Sequence, residues 1–194
     1  QRQMCIRDRG DWVTLDEVSA GYCSHAADSS WHGTHVAGLV GAAGNNSAGG
    51  LGVAFGAKVL PVRVLGRCGG YTSDILAGAR WAAGLTVPGV PVNTTPARVL
   101  NLSLGVDGPC DSAWQEVMNE VLARNISIVA STGNNGSTSI TKPANCSGVV
   151  AVTAHDRYGR NASYANLGAE VAISAPGGDS DGPVSYTHLT LPTS

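Results

Sequence analysis

Five short runs rich in β-branched residues, set apart by helix-type segments and glycine-rich loops, are the feature that most constrains this chain. Ala57–Leu65 (AKVLPVRVL), Arg98–Leu104 (RVLNLSL), Ile126–Ala130, Gly148–Thr153 and Val171–Ser174 read as strands, with Pro61 a mild objection to the first. Between the first and second, Ser73 and Asp74 offer an N-cap for a helix over Ile75–Leu85, whose Ile75, Ala79 and Ala82 share one face beside Trp81. Between the second and third, Asp111 opens an amphipathic helix carrying Trp114, Val117, Met118, Val121 and Leu122. Strands joined through helices imply right-handed crossovers, and a parallel sheet built that way is covered on both faces. The expectation is an α/β fold of three layers: a mostly parallel central sheet with helices on both faces, and Trp81 and Trp114 in the core.

The N-terminal part reads differently. Asp11–Ser30 is polar, contains glycine and has no sustained period, so it is expected to be a long surface loop. From Thr34 to Gly44, Val36, Leu39, Val40 and Ala43 recur at helical spacing, while Gly33, Ala37, Gly41 and Gly44 form a strip with almost no side chain. Three glycines would weaken an isolated helix by about 1 kcal/mol each. The pattern therefore predicts a buried helix packed closely against a sheet.

Only 13% of the 194 residues are charged, against roughly 25% in an average globular chain, so one domain with a buried core is expected. A net charge of -2 offers no basic surface for nucleic acid, and no apolar run approaches the ~20 residues that span a membrane. Neither partner is expected, and the chain is expected to be a monomer. The charged Gln1–Arg9 (QRQMCIRDR) and the unpatterned Val184–Ser194 (VSYTHLTLPTS) are similar to translated sequencing-adapter sequence. Both are expected to be non-native, with residues 10–183 as the credible chain and the natural protein extending past both ends.

Between those ends lie Cys23, Cys68, Cys110 and Cys146, which allow three disulfide connectivities or four free thiols. Cys68 and Cys110 each follow a predicted strand. If those strands are parallel neighbours, both cysteines sit at one edge, so a Cys68–Cys110 bridge is geometrically reasonable and implies an oxidising, secreted setting. No CxxC spacing occurs, which argues against a zinc cluster.

Function in open α/β sheets collects in loops beyond the carboxyl ends of the strands. Two such loops stand out: Asn101–Gly105 (NLSLG), where a strand ends on a glycine, and Ala130–Gly136 (ASTGNNG), which leaves its strand with polar amides. A third feature is Ser30–Gly38 (SWHGTHVAG), where His32 stands at the head of the glycine-striped helix and can act as a base. Together, in this order and at these separations, HGTHVAG, NLSLG and STGNNG resemble the motifs of the subtilisin-like serine proteases, the subtilases. GDWVT, LPVRVLG followed by RCGG, KPANCSGVVAVTA and the strand ending in SAPGG extend the likeness over about Gly10–Gly178, toward a secreted bacterial branch.

The resemblance implies a serine endopeptidase with an Asp/His/Ser triad in which His32 takes the proton of the serine hydroxyl. It implies that the side chain of Asn134 donates to the oxyanion, and that Ser103, Leu104 and Gly105, with Gly133 facing them, hold an extended peptide as an added strand. It implies residues 10–183 as a partial catalytic domain, an extended peptide or protein as substrate, no cofactor for the chemistry, and a structural calcium ion to which an acidic loop residue such as Asp11 could contribute. The sequence departs from the family in two places. None of Asp8, Asp11, Asp16 or Asp28 lies in a hydrophobic strand followed by a DTG-like motif, and none of Ser137, Ser139, Ser147, Ser163, Ser174 or Ser180 lies in a GTSMA-like segment. Only the histidine of the triad has its setting, and this chain by itself is expected to be inactive.

Two rivals remain. His32 and His35 stand three apart and could share a metal in a metallohydrolase, although no glutamate base or third ligand accompanies them; a buried, hydrogen-bonded His35 is the preferred reading. A catalytically dead, peptide-binding subtilase relative would keep the NLSLG edge and lack the triad. Tyr71 and Ile75, just after RCGG, are open to a role in a substrate subsite or in packing alone.

Overall fold

In a computed structural model, residues 11–47 and 49–178 are described. The adapter-like segments 1–9 and 184–194, with Asp8 and Ser180, lie outside them. The described residues divide into two compact units, those up to residue 78 and those from residue 79.

In the second unit, β1 (Val99–Leu102), β2 (Ser127–Ser131), β3 (Val150–His155) and β4 (Val171–Pro176) form a four-stranded sheet in that order, every pair parallel. The pairs Leu100↔Ile128 and Ala130↔Ala151 put alternate residues on one face, and that face is buried. Its cover is α4 (Ser112–Leu122), which packs on β2. The helix starts at Asp111, whose Oδ1 accepts from the N–H groups of Ala113 (3.1 Å) and Trp114 (3.2 Å). These satisfy two donors that a helix start leaves without partners. Trp114, Val117, Met118 and Val121, at i, i+3, i+4 and i+7, are at most 1% exposed and form the face of α4 that covers β2. Gln115 ties the outer side of α4 to the segment before β3, giving its Nε2–H to the carbonyl of Ser147 (3.2 Å) and accepting the Ser147 N–H (2.9 Å).

Each of the four strands lies within two residues of its predicted limits, and the parallel order is as expected. The fifth run differs: over 57–65 there is no strand. Pro61 removes a ladder donor there. The run instead lies against α3 (Thr72–Ala82), where a Cβ added at Gly78 would strike the side chain of Val64 and approach Cγ1 of Val62 to 3.3 Å. The helix begins at Thr72, ahead of the residues expected to cap it, and it buries Ile75, Leu76, Ala79 and Ala82. Ile75 is therefore a packing residue, while Tyr71 is exposed. Trp81 is half-buried rather than core, because its Nε1–H reaches out to the Pro91 carbonyl at 2.7 Å.

The first unit corrects three expectations. Asp11–Ser30 is not all loop: α1 (Leu15–Ser19) starts in a capping box, Thr14 Oγ1 accepting from the Glu17 N–H (3.3 Å) and Glu17 Oε2 accepting from the Thr14 N–H (2.9 Å). The glycine-striped helix, α2 (His32–Gly41), has no buried residue, and His35 is half-buried. Its strip packs on the loop 51–59 and not on a sheet: a Cβ on Gly41 would lie 2.9 Å from Cγ2 of Val59, and one on Gly44 would strike Leu51. The disulfides are Cys23–Cys68 and Cys110–Cys146, with Cα separations of 5.6 and 5.1 Å, so the expected Cys68–Cys110 bridge is wrong. With no strand over 57–65, the premise that two parallel neighbours present Cys68 and Cys110 at one edge fails, and each bridge closes within its own unit.

Trp114 tests the core. Trp114→Ala is expected to lower unfolding stability by about 3–5 kcal/mol in denaturant titration. Trp114→Phe should cost much less, because it fills most of the volume and removes an indole N–H that is buried without a hydrogen-bond partner among the described residues.

Candidate active site

The parallel register decides where the two polar motifs emerge. The β1–β2 ladder ends at Leu102↔Ala130, so Ser103–Gly105 and Thr132–Gly136 leave neighbouring strands at the same edge. Ser103 accepts from Nδ2 of Asn101 at 2.9 Å. Beyond Gly105 the chain is pinned at Val106, which exchanges both backbone hydrogen bonds with Lys142 (2.9 and 3.0 Å). Thr141, next to that bridge, gives its N–H to the carbonyl of buried Thr132 at 2.9 Å.

Thr141 also accounts for the glycines of both motifs. A Cβ at Gly105 would collide with the Thr141 side chain, and one at Gly133 would sit 2.9 Å from its Cγ2. Gly133 further needs its φ of +111°, which side-chain-bearing residues rarely adopt. The Thr141 side chain thus lies against both motif glycines.

Asn134 follows Gly133, is exposed, and its side chain makes no hydrogen bond among the described residues. Its neighbours are held. Asn135 reaches Oδ1 of Asp107 through Nδ2 (3.1 Å), Gly136 donates its N–H to the Tyr164 carbonyl (2.7 Å), and buried Asn166 accepts the N–H of Asn135 (2.8 Å) and of Ser137 (3.1 Å). The arrangement presents one uncommitted amide on a fixed loop beside an extended segment. Sequence reasoning found Gly133, Asn134 and Ser103–Gly105, but missed Thr141 and Asn166, since a lone threonine or asparagine in a loop carries no pattern.

His32, in the other unit, is the first residue of α2 and is exposed. Trp31 before it holds a left-handed conformation (φ 52°, ψ 22°) and gives no side-chain cap, a conformation that costs a bulky residue of the order of 1 kcal/mol. The anchoring comes from one residue further back. Oδ1 and Oδ2 of Asp11 accept from the Ser30 N–H (2.7 Å) and hydroxyl (2.6 Å), and Ser30 Oγ accepts from the His32 N–H (3.3 Å). The Ser30 hydroxyl holds the Asp11 carboxyl below its ordinary pKa. Among the described residues no three His, Cys, Asp or Glu side chains gather for a metal.

A model of the subtilase family matches residues 9–194. The chain belongs to the subtilase family. It is 50% identical over 171 residues to an extracellular protease of Xanthomonas campestris, covering 88% of this chain and 29% of that protein. It is 44% identical over 181 residues to the extracellular basic protease of Dichelobacter nodosus, covering 91% and 30%. Among solved structures, a protease of Pseudoalteromonas arctica PAMC 21717 superposes with a TM-score of 0.83 at 47% identity, covering 89% of this chain and 50% of that one. This subtilase chain thus spans at most about half the length of these three relatives. The shared fold is the α/β, parallel-sheet architecture expected from the strand and helix pattern. No helix among its described residues is long and apolar enough to cross a membrane.

One carboxylate links the site to acid stability. Lys142 Nζ, 2.6 Å from Asp111 Oδ2, and then the Trp114 N–H hold the Asp111 carboxyl below its ordinary value. Its folded pKa being depressed, its contribution is complete above the unfolded value of about 3.9 and is lost as pH falls through the folded one. Thermal unfolding followed against pH should therefore show a steep acid limb below about pH 4 that Asp111→Asn makes shallower.

Proposed function

We propose that this chain is the part of a secreted bacterial serine endopeptidase that carries the triad histidine and the oxyanion amide, residues 10–183 forming part of its catalytic domain. The observation that carries this is the exposed, uncommitted amide of Asn134 on a loop whose following N–H groups, of Asn135, Gly136 and Ser137, are all bonded, beside the segment Ser103–Gly105 that leaves the adjacent strand. Family membership and relatives named as extracellular proteases support it.

In this reading an extended peptide lies along Ser103, Leu104 and Gly105 as an added strand, with Gly133 across from them. A serine hydroxyl attacks the scissile carbonyl while His32 accepts its proton, then returns that proton to the leaving amine as the C–N bond breaks. The carbonyl oxygen gains negative charge in that step, and Nδ2 of Asn134 donates to it. A donor fixed before the reaction needs no reorganisation when the charge forms. No metal or cofactor takes part in these steps. The nucleophile and the acid are not assigned within this chain, since no serine or aspartate in it has the family setting.

Two measurements test the reading. In the full-length protein acting on a peptide substrate, Asn134→Ala should lower kcat about 10²- to 10³-fold with KM little changed, the size established for this donor in subtilisin and carried over here. His32→Ala should lower kcat by about 10⁶-fold, also a subtilisin value. Unchanged turnover in either variant would refute the role given to that residue, and absence of turnover in the unaltered protein would favour a peptide-binding relative. Residues 1–194 alone should take up no serine-directed phosphonate. Stoichiometric labelling at any serine would show that the nucleophile is already in this chain.

A further inference from the structure

One buried polar residue is bonded to the Asn134 loop at three points, two through its side chain and one through its backbone. Asn166 lies between β3 and β4 and is 1% exposed. Its Oδ1 accepts from the N–H of Asn135 at 2.8 Å and of Ser137 at 3.1 Å. Its own N–H donates to the Gly133 carbonyl at 3.0 Å, and its carbonyl accepts from the Thr153 hydroxyl on β3 at 2.9 Å. These bonds bracket Asn134: one ends on the residue before it, one on the residue after it, and one on the residue three further on. The amide also lies against Gly133, where an added Cβ would be 2.5 Å from Asn166 Nδ2. The flanking segment adds two backbone bonds, Gly136 N–H to the Tyr164 carbonyl at 2.7 Å and Leu167 N–H to the Ser137 carbonyl at 2.9 Å.

We propose that Asn166 is a positioning residue for the oxyanion donor. Its Oδ1 holds two N–H groups of a loop that has almost no apolar side chain of its own, and so fixes the direction of the Asn134 amide before substrate arrives. The physical basis is that a donor aimed in advance stabilises the charged transition state more than one that must be ordered during the reaction. Asn166 touches no substrate atom and acts through Asn134. The inference rests on the proposed role of Asn134.

The test is a double-mutant cycle on the full-length protein with a peptide substrate, kcat and KM being measured separately. Asn166→Ala should lower kcat by about 10- to 100-fold with KM changed less than about threefold, a part of the loss caused by removing the donor itself. In an Asn134→Ala background the same substitution should cost less than about threefold, since the two residues act as one unit. Asn166→Asp keeps the acceptor and should stay within about fivefold of the unaltered kcat. Exchange of the Asn135 and Ser137 amide hydrogens should be at least about tenfold faster in Asn166→Ala, while protection in α4 stays the same.

An equal loss from Asn166→Ala with and without Asn134 would overturn the proposal, assigning Asn166 to general stability. If Asn166→Ala does not fold, Asn166→Asp decides: retained kcat supports the role, and a fall of about tenfold or more removes it. If Asn134→Ala itself leaves kcat unchanged, the reading of Asn134 fails and takes this proposal with it. That outcome is told apart by the single Asn134 variant alone.

Discussion

The parallel pairing of β1 with β2, ended at Leu102↔Ala130, is the constraint on which the site depends. Two parallel strands release their chains at the same edge, so the segments after them start as neighbours whatever their sequences. An antiparallel pair would send NLSLG and TGNNG to opposite ends of the sheet. The pairing in turn depends on α4, the helix that returns the chain from the end of β1 to the start of β2 and whose Trp114, Val117, Met118 and Val121 cover their shared buried face.

From that edge outward, hydrogen bonds and close contacts replace the apolar core. Thr141 lies against Gly105 and Gly133, and Asn166 stitches the far side of the second loop to β3. The Lys142–Val106 bridge, the Lys142–Asp111 ion pair and the Cys110–Cys146 disulfide tie the segment before β3 to the one after β1. Asp111 joins two parts of this design, since one carboxylate caps α4 and holds Lys142.

What could be read from the sequence follows from which forces carry a local pattern. The i, i+3, i+4, i+7 spacing after Asp111 announced α4, and β-branched runs announced four strands, because core burial repeats with the period of the element. The same reasoning fails for the fifth run, where Val62 and Val64 are equally apolar: their partner is Gly78 on a helix, and Pro61 is the one local sign against pairing in a sheet. The capping box Thr14–Glu17 was present in the sequence and marked the helix α1 that a polar, aperiodic reading passes over. Of the candidate site, motifs located Asn134 and Ser103–Gly105. Thr141 and Asn166 stayed hidden because each acts through tertiary contacts, and the disulfides because connectivity is a matter of distance, not spacing.

The loop 133–137 shows why those hidden contacts matter. Gly133, Asn134, Asn135, Gly136 and Ser137 offer no apolar surface, and fixing five residues costs about 5–10 kcal/mol at roughly 1–2 kcal/mol each. Against this stand five hydrogen bonds from residues 164–167: to the Asn135, Gly136 and Ser137 N–H groups and to the Gly133 and Ser137 carbonyls. At about 0.5–1.5 kcal/mol apiece they return roughly 2.5–7.5 kcal/mol, most but not all of that cost, and the Asn135–Asp107 hydrogen bond and the contact of Gly133 with Thr141 add to them, so each bond counts. Asn166 takes part in three of the five. Within this satisfied frame the amide of Asn134 is left over, held in place by its neighbours and itself bonded to nothing among the described residues, which is the state a donor must be in to meet a charge that exists only during reaction.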